Sequence, residues 1–170
     1  MITSLGLDTS SKLVGWAVVK GGDGELEHIA SGVLELNENL RHPHRMARLF
    51  AHIGSLIEEY RPDRVTVEEM SSMRNQKVVK ILQNYIATAT LASMFYGKIE
   101  PQTLAVHTVM ARIGVKALSP QQKRGKKRGE ISRIGKSRIR TVINAQFDLD
   151  LKENEQDRAD ALAVALAGLG

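Results

Sequence analysis

Four acids stand where a protein core has no use for charge. Asp8 closes the apolar run Ile2 to Leu7, and Glu68 closes the β-branched run Val65-Thr66-Val67. Asp157 and Asp160 lie three apart, hence on one helical face, in a segment otherwise rich in Ala, Leu and Val. Taken singly, each has a plain explanation: a strand-end acid caps a turn, and an acid early in a helix complements its dipole. Taken together, adjacent strand ends and a packed helix start could bring them to one place. Two carboxylates about 4 Å apart then repel by roughly 4 kcal/mol at an effective dielectric near 20, so cations must sit among them. Oxygen ligands with no thiolate suit hard Mg²⁺ or Mn²⁺, and two such ions clamp a phosphodiester without any protein nucleophile. Nothing else in the chain competes for this role. There is no Cys; Ser10 and Ser11 lack triad partners and read as turn donors; the five histidines show no ligand spacing and read as surface or helix-edge residues.

The charge distribution suggests the substrate. Of 24 Lys+Arg in 170 residues, ten fall between positions 116 and 140 beside one acid, Glu130, while the rest of the chain is mildly acidic. Charge runs are commonly just solvated loops. Here ten cations next to an acidic metal site would offset its repulsion of a nucleic acid backbone.

The elements that must position these groups follow from periodicity. Ile2 to Leu7 and Leu13 to Val19 read as strands joined by the turn Asp8 to Ser11; after Gly21-Gly22-Asp23-Gly24, a third strand is marked by Ile29, Val33 and Leu36. Arg41 to Tyr60 has helical spacing with Pro43 in its first turn, and Val65 to Glu68 is a fourth strand. Residues 76–96 form a helix apolar on two sides, which is either sandwiched in the core or shared with a partner chain. Gln102 to Val106 is a fifth strand, residues 116–135 are expected to be a basic mobile loop, and helices follow over Ile131 to Phe147 and Gln156 to Leu169. The order predicts one domain over residues 1–170: a mixed five-stranded α/β sheet, with a three-strand antiparallel meander plus parallel strands, flanked by helices. No run approaches 18 apolar residues and the N-terminus has no basic leader, so the expectation is a cytoplasmic protein without a membrane span.

At this point the chain resembles the RuvC-type Holliday junction resolvases of the RNase H-like superfamily. Leu5-Gly6-Leu7-Asp8-Thr9-Ser10-Ser11 with Gly15-Trp16-Ala17-Val18-Val19 is similar to that family's first hairpin. Pro62 to Glu68 is similar to its second acidic strand, and Asp157-Arg158-Ala159-Asp160-Ala161-Leu162-Ala163 to its last motif. The resemblance implies an RNase H-like fold and a homodimer, with the 76–96 helix as candidate interface. It implies two Mg²⁺ per site, replaceable by Mn²⁺, held by Asp8, Glu68, Asp157 and Asp160, with Glu69 as second choice to Glu68. The implied reaction is paired cleavage of a four-way DNA junction leaving 5′-phosphate and 3′-hydroxyl ends. Contacts to DNA are expected from Arg74 and Asn75 at the start of the long helix, and from Lys123, Arg124, Lys126, Lys127, Arg128, Lys136 and Arg138. Two positions depart from the family pattern. Met110 stands where a Lys is usual, with Arg112 nearby and Lys136 matching a second family Lys; Ser71 stands at the aromatic wedge, with Met70 or Met73 as apolar substitutes. Alternatives in view are an RNase H-like nuclease of other branched DNA or RNA–DNA hybrids, a non-catalytic junction-binding module, and an actin-like phosphotransferase, for which the chain is too short.

Overall fold

The computed structural model describes residues 1–69 and 76–170. Strands β1 (Ile2–Thr9), β2 (Leu13–Gly22) and β3 (Glu25–Glu35) form an antiparallel meander. Helix α1 (His42–Tyr60) returns the chain to β4 (Arg64–Glu68), which pairs parallel to β1. Helix α2 (Gln76–Ala92) runs into a π-helical turn, Ser93–Gly97, and then into β5 (Gln102–Leu104), parallel to β4. The sheet order is β3-β2-β1-β4-β5. Helices α3 (Val106–Arg112), α4 (Pro120–Lys123), α5 (Arg128–Phe147) and α6 (Gln156–Ala167) complete the chain.

Alternation along the strands divides the core in two. Leu5, Leu7, Val65 and Val67 face α1 and α2, together with Leu49, Ile53 and Tyr85. On the opposite face Ala17, Val19 and Leu104 pack with α6, α3 and α5. Helix α6 lies almost on the sheet backbone. A Cβ placed on Gly6 would fall 2.2 Å from the Ala165 nitrogen, and one on Gly15 would fall 2.2 Å from the Asp157 carbonyl oxygen. The two glycines and the alanines of α6 therefore set the helix-to-sheet distance. Arg112 tightens the same packing by donating to the Ala167 carbonyl at 2.9 Å, at the far end of α6.

Three features differ from expectation. On β3 the residues buried are Leu34 and, just beyond the strand, Leu36, while Ile29 and Val33 are exposed. Ile29 and Val33 share the more exposed parity, which is the same on both sides of the bulge that leaves Ile29 unpaired opposite Val18 and Val19. The long helix changes to a π turn after Ala92, where Thr88, Thr90 and Ser93 each donate to the carbonyl four residues back, a pattern that bends helices. Much of the expected basic loop is helical. Ser119 and Gln122 cap α4 reciprocally, and Glu130, the one acid in the segment, accepts from the Lys127 nitrogen at 2.7 Å and starts α5 three residues before the apolar spacing begins.

Gly6→Ala forces α6 off the sheet. The expected loss is about 2–3 kcal/mol, or roughly 5–10 °C in Tm, by urea and thermal unfolding.

Candidate active site

The carboxyl ends of parallel strands β1 and β4 meet where the meander gives way to the parallel half of the sheet, the usual place for a ligand crevice in open α/β sheets. Leu7 pairs with Val67, so Asp8 and Glu68 are the next residues on neighbouring strands. Parity then selects between the adjacent acids. Leu7 and Val67 face the α1/α2 core, which turns Asp8 and Glu68 to the α6 side; Glu69 is exposed, and its nitrogen donates to the Leu104 carbonyl at 2.7 Å. The turn that follows Asp8 is fixed by Ser10, whose hydroxyl donates to the Leu13 carbonyl at 2.9 Å and accepts from the Leu13 nitrogen at 3.0 Å.

Helix α6 supplies the other acids. Asp160, 7% exposed, is the buried charge of this helix. Both of its oxygens are held: Oδ2 by the Lys136 ammonium at 3.1 Å and Oδ1 by the Gln156 amide at 2.8 Å. Gln156 also accepts from the Arg140 guanidinium and donates to the Lys136 carbonyl at 3.2 Å, so one amide ties α5 to α6. Nothing in the sequence singled out Gln156. Its contacts cross two helices, and only its place one turn before Asp160 could have pointed to it.

Asp8, Glu68 and Asp160 line one cavity of about 370 Å³ together with Met110, Lys116, Lys123, Lys136 and Arg138. Asp157 lines the adjoining cleft on the other side of Lys136, with Arg133 and Arg140. As placed, no three acidic or histidine side chains among the described residues converge tightly enough to grip one ion. The charges nevertheless act on one another. Burial, followed by the charge of Asp160, pushes the Asp8 carboxyl up to about 7; burial, followed by Asp8 and Asp160, pushes Glu68 up to about 8. Burial raises Asp160 as well, against the opposing pull of Lys136 and Gln156. Burial disfavours the Lys136 ammonium, but Asp160 outweighs it and holds that group above the ordinary lysine range. A set of oxygen donors this short of positive charge, with Lys136 as the cation in contact, fits a hard divalent ion.

Of the basic residues expected at DNA, the cavity gathers Lys123, Lys136 and Arg138 and adds Lys116, whose carbonyl accepts from Arg138 at 2.9 Å. Arg124, Lys126 and Lys127, between α4 and α5, and Arg128, which opens α5, are exposed and do not line it. Arg112 serves the end of α6 and not the site. Met110 lines the cavity, and the cation beside the acids is Lys136. Met70, Ser71, Met73, Arg74 and Asn75 lie outside the described residues.

The shifts fix a sign for stability. Asp8 and Glu68 bind protons more tightly in the folded chain than in the unfolded one, where they titrate near 3.8 and 4.5, so their contribution is full below about pH 4 and is lost as pH rises through 7 to 8. With chelator present, denaturant unfolding should show stability falling over this window. Asp8→Asn should be more stable than wild type at pH 8 by roughly 2–4 kcal/mol, by about 1–2 kcal/mol at pH 5, and nearly equal to it only below about pH 4.

Comparison with known proteins places this architecture. The family model described as crossover junction endodeoxyribonuclease RuvC matches residues 4–168. The protein of that name from Alkaliphilus metalliredigens is 24% identical over 95% of this chain and 89% of its own length, and that from Pelobacter propionicus is 26% identical over 97% and 84%. Among solved structures, T. thermophilus RuvC in complex with Holliday junction substrate superposes with a TM-score of 0.77 at 17% identity, covering 97% of this chain and 91% of that one. The fowlpox virus Holliday junction resolvase gives 0.55 at 13%, covering 97% and 95%. From the first hairpin to the last turn of α6, the chain belongs to the RuvC family of crossover junction endodeoxyribonucleases.

Proposed function

We propose that this chain resolves four-way DNA junctions by divalent-metal-dependent phosphodiester hydrolysis, with Asp8, Glu68, Asp157 and Asp160 as its metal-binding carboxylates. The observation that carries the reading is the shared cavity: three of these acids line the same 370 Å³ space as Lys123, Lys136 and Arg138. Two Mg²⁺ ions, or Mn²⁺ in their place, would supply Lewis-acid polarisation of the scissile phosphate and acidify the attacking water. The chain's own groups supply the rest. Buried Asp8 and Glu68 gain most from a bound cation, because burial and mutual repulsion penalise their charge. Lys136 and Gln156 fix the orientation of Asp160 from two sides. Lys123 and Arg138 line the rim where a phosphate backbone would approach, and Arg124, Lys126, Lys127 and Arg128 extend the positive surface outward. Arg74 and Asn75 belong to the same reading on the strength of the family pattern alone.

Paired cleavage of opposed strands calls for two equivalent sites, hence a two-fold dimer. Leu91 in the last turn of α2 and Met94 and Phe95 in the π turn that follows are 62%, 50% and 64% exposed, an apolar surface fit to meet its own copy. Leu91→Glu combined with Met94→Glu should convert a dimer to a monomer by light scattering, and should leave single nicks in place of paired cuts.

The decisive comparison is cleavage of a synthetic four-way junction with Mg²⁺ by wild type and Asp160→Asn. Retained binding with lost cleavage is expected; undiminished cleavage by the variant would falsify the site. Junction affinity should fall about 10³- to 10⁵-fold between low and moderate salt if roughly six to ten phosphates are neutralised. Preference for an RNA–DNA hybrid over the junction would identify a ribonuclease instead.

A further inference from the structure

A second set of polar groups, on the opposite face of the sheet from α5, has no partner. The Nδ1 of His42, the Nε of Arg45 and the hydroxyl of Tyr85 are each buried without a hydrogen bond. They belong together: the imidazole of His42 stacks on the Tyr85 ring at 5.6 Å, and the Arg45 charge acts on both His42 and Tyr85. Tyr85 is fully buried, and among the described residues Arg45 forms no ion pair. Native proteins leave few such groups unmatched, and a half-buried guanidinium without a counter-charge is more costly than a lone hydroxyl.

All three groups can donate. The Asn84 amide nitrogen lies 2.9 Å from His42 Nε2; donating there, it leaves the ring proton on Nδ1. Burial, then Arg45, holds His42 below the usual histidine range, and burial raises the Tyr85 phenol, so the ring stays neutral and the phenol keeps its proton. The surroundings carry the same sign. The first turn of α1 holds no acid and its N-cap no side-chain hydrogen bond; Arg41 and Arg48 are exposed nearby; the preceding acid, Glu38, is paired with Lys12 at 2.7 Å. His42 and Arg45 keep part of their surface in solvent while the three donor atoms themselves are shielded, so an anion reaches them when the Arg45 side chain swings outward.

The location matches a DNA contact. Leu13 pairs with Glu35, and the Leu36 nitrogen donates to the Lys12 carbonyl at 2.7 Å, so the chain leaves β3 at the edge where β1 ends in Asp8 and enters α1 six residues later. We infer that His42, Arg45 and Tyr85 form a phosphate-binding site that takes a backbone phosphodiester of a junction arm on the α1 side of the catalytic edge. The choice of DNA as the phosphate's source rests on the junction-resolving reading; the anion site rests on the three unpartnered donors.

Junction binding measured by fluorescence anisotropy in EDTA tests it on the full chain. Arg45→Gln should weaken binding and make the slope of log K against log salt shallower by about 0.9. Tyr85→Phe, which keeps the ring, should weaken binding roughly three- to tenfold. Its Tm should hold or rise, because the hydroxyl bonds nothing within the fold; a purely structural tyrosine would show the reverse. In parallel, inorganic phosphate is titrated into protein observed by NMR at the His42 ring and the Arg45 side-chain N–H, where saturable shifts are expected in wild type and none at His42 in Arg45→Gln. Phosphate saturation in a protein that ignores junctions would uphold the anion site and overturn DNA as its ligand. An unchanged salt slope in Arg45→Gln, with junction affinity within twofold in both variants and no phosphate shifts, would overturn the site itself.

Discussion

The contact on which the site depends is the approach of α6 to the bare backbone at Gly6 and Gly15. There is no room for a methyl group at either position, and α6 answers with alanines at 159, 161, 163, 165 and 167. That closeness sets the height at which Asp157 and Asp160 enter over the ends of β1 and β4. A helix riding on larger side chains would sit further out and carry its acids away from Asp8 and Glu68. The placement of these acids is therefore a packing outcome, decided by small residues that carry no chemistry.

The same closeness creates an electrostatic cost. Asp160 is buried, and its charge pushes up both Asp8 and Glu68. The fold offsets this from one side with Lys136 and, through Gln156, with Arg140. These bonds also hold α5 in place. Its buried apolar residues are only Ile139 and Ile143, both in its second half, and the polar contacts of Lys136 and Arg140 hold its middle to α6. Binding of the basic helix and balancing of the acid site are one set of interactions, which accounts for a strongly basic helix settling against the sheet with so little core of its own.

How much of this was legible in the sequence follows from which physics each feature uses. The meander, α1 and the strand ending in Glu68 rest on local periodicity, and they stand within a few residues of where that periodicity puts them. The preference for Glu68 over Glu69 rested on alternation and agrees with the register. The burial of β3 is not legible in its own pattern: apolar Ile29 and Val33 are exposed while Leu34 and Leu36, on the other parity, are buried, because the elements packed against the strand decide which side is covered. The start of α5 was missed because its cap is Glu130 reaching back to the Lys127 nitrogen, with no Ser, Thr, Asp or Asn at the N-cap to announce it. The role of Gln156 is made by contacts to a different helix, and the orphaned donors of His42, Arg45 and Tyr85 are brought together from two helices. Residue type alone cannot reveal them.

Net charge deserves the same scrutiny by distance. The chain sums to +5, yet it places acids at the very spot where a polyanion must come closest. At physiological ionic strength the screening length is about 8 Å, so the acids scattered over the rest of the molecule contribute little at the catalytic edge. What an approaching phosphate experiences is set by the groups that share its cavity. There three carboxylates face Lys116, Lys123, Lys136 and Arg138, and protons on Asp8 and Glu68 already remove part of the negative charge near neutral pH. Four cations against three carboxylates leave the cavity net positive before any metal binds, the more so with protons on Asp8 and Glu68, and a divalent cation adds to that charge. The cavity's own lysines and arginine thus favour the approach of a phosphate before any cation loads, and the chain's overall charge is only loosely connected to either event.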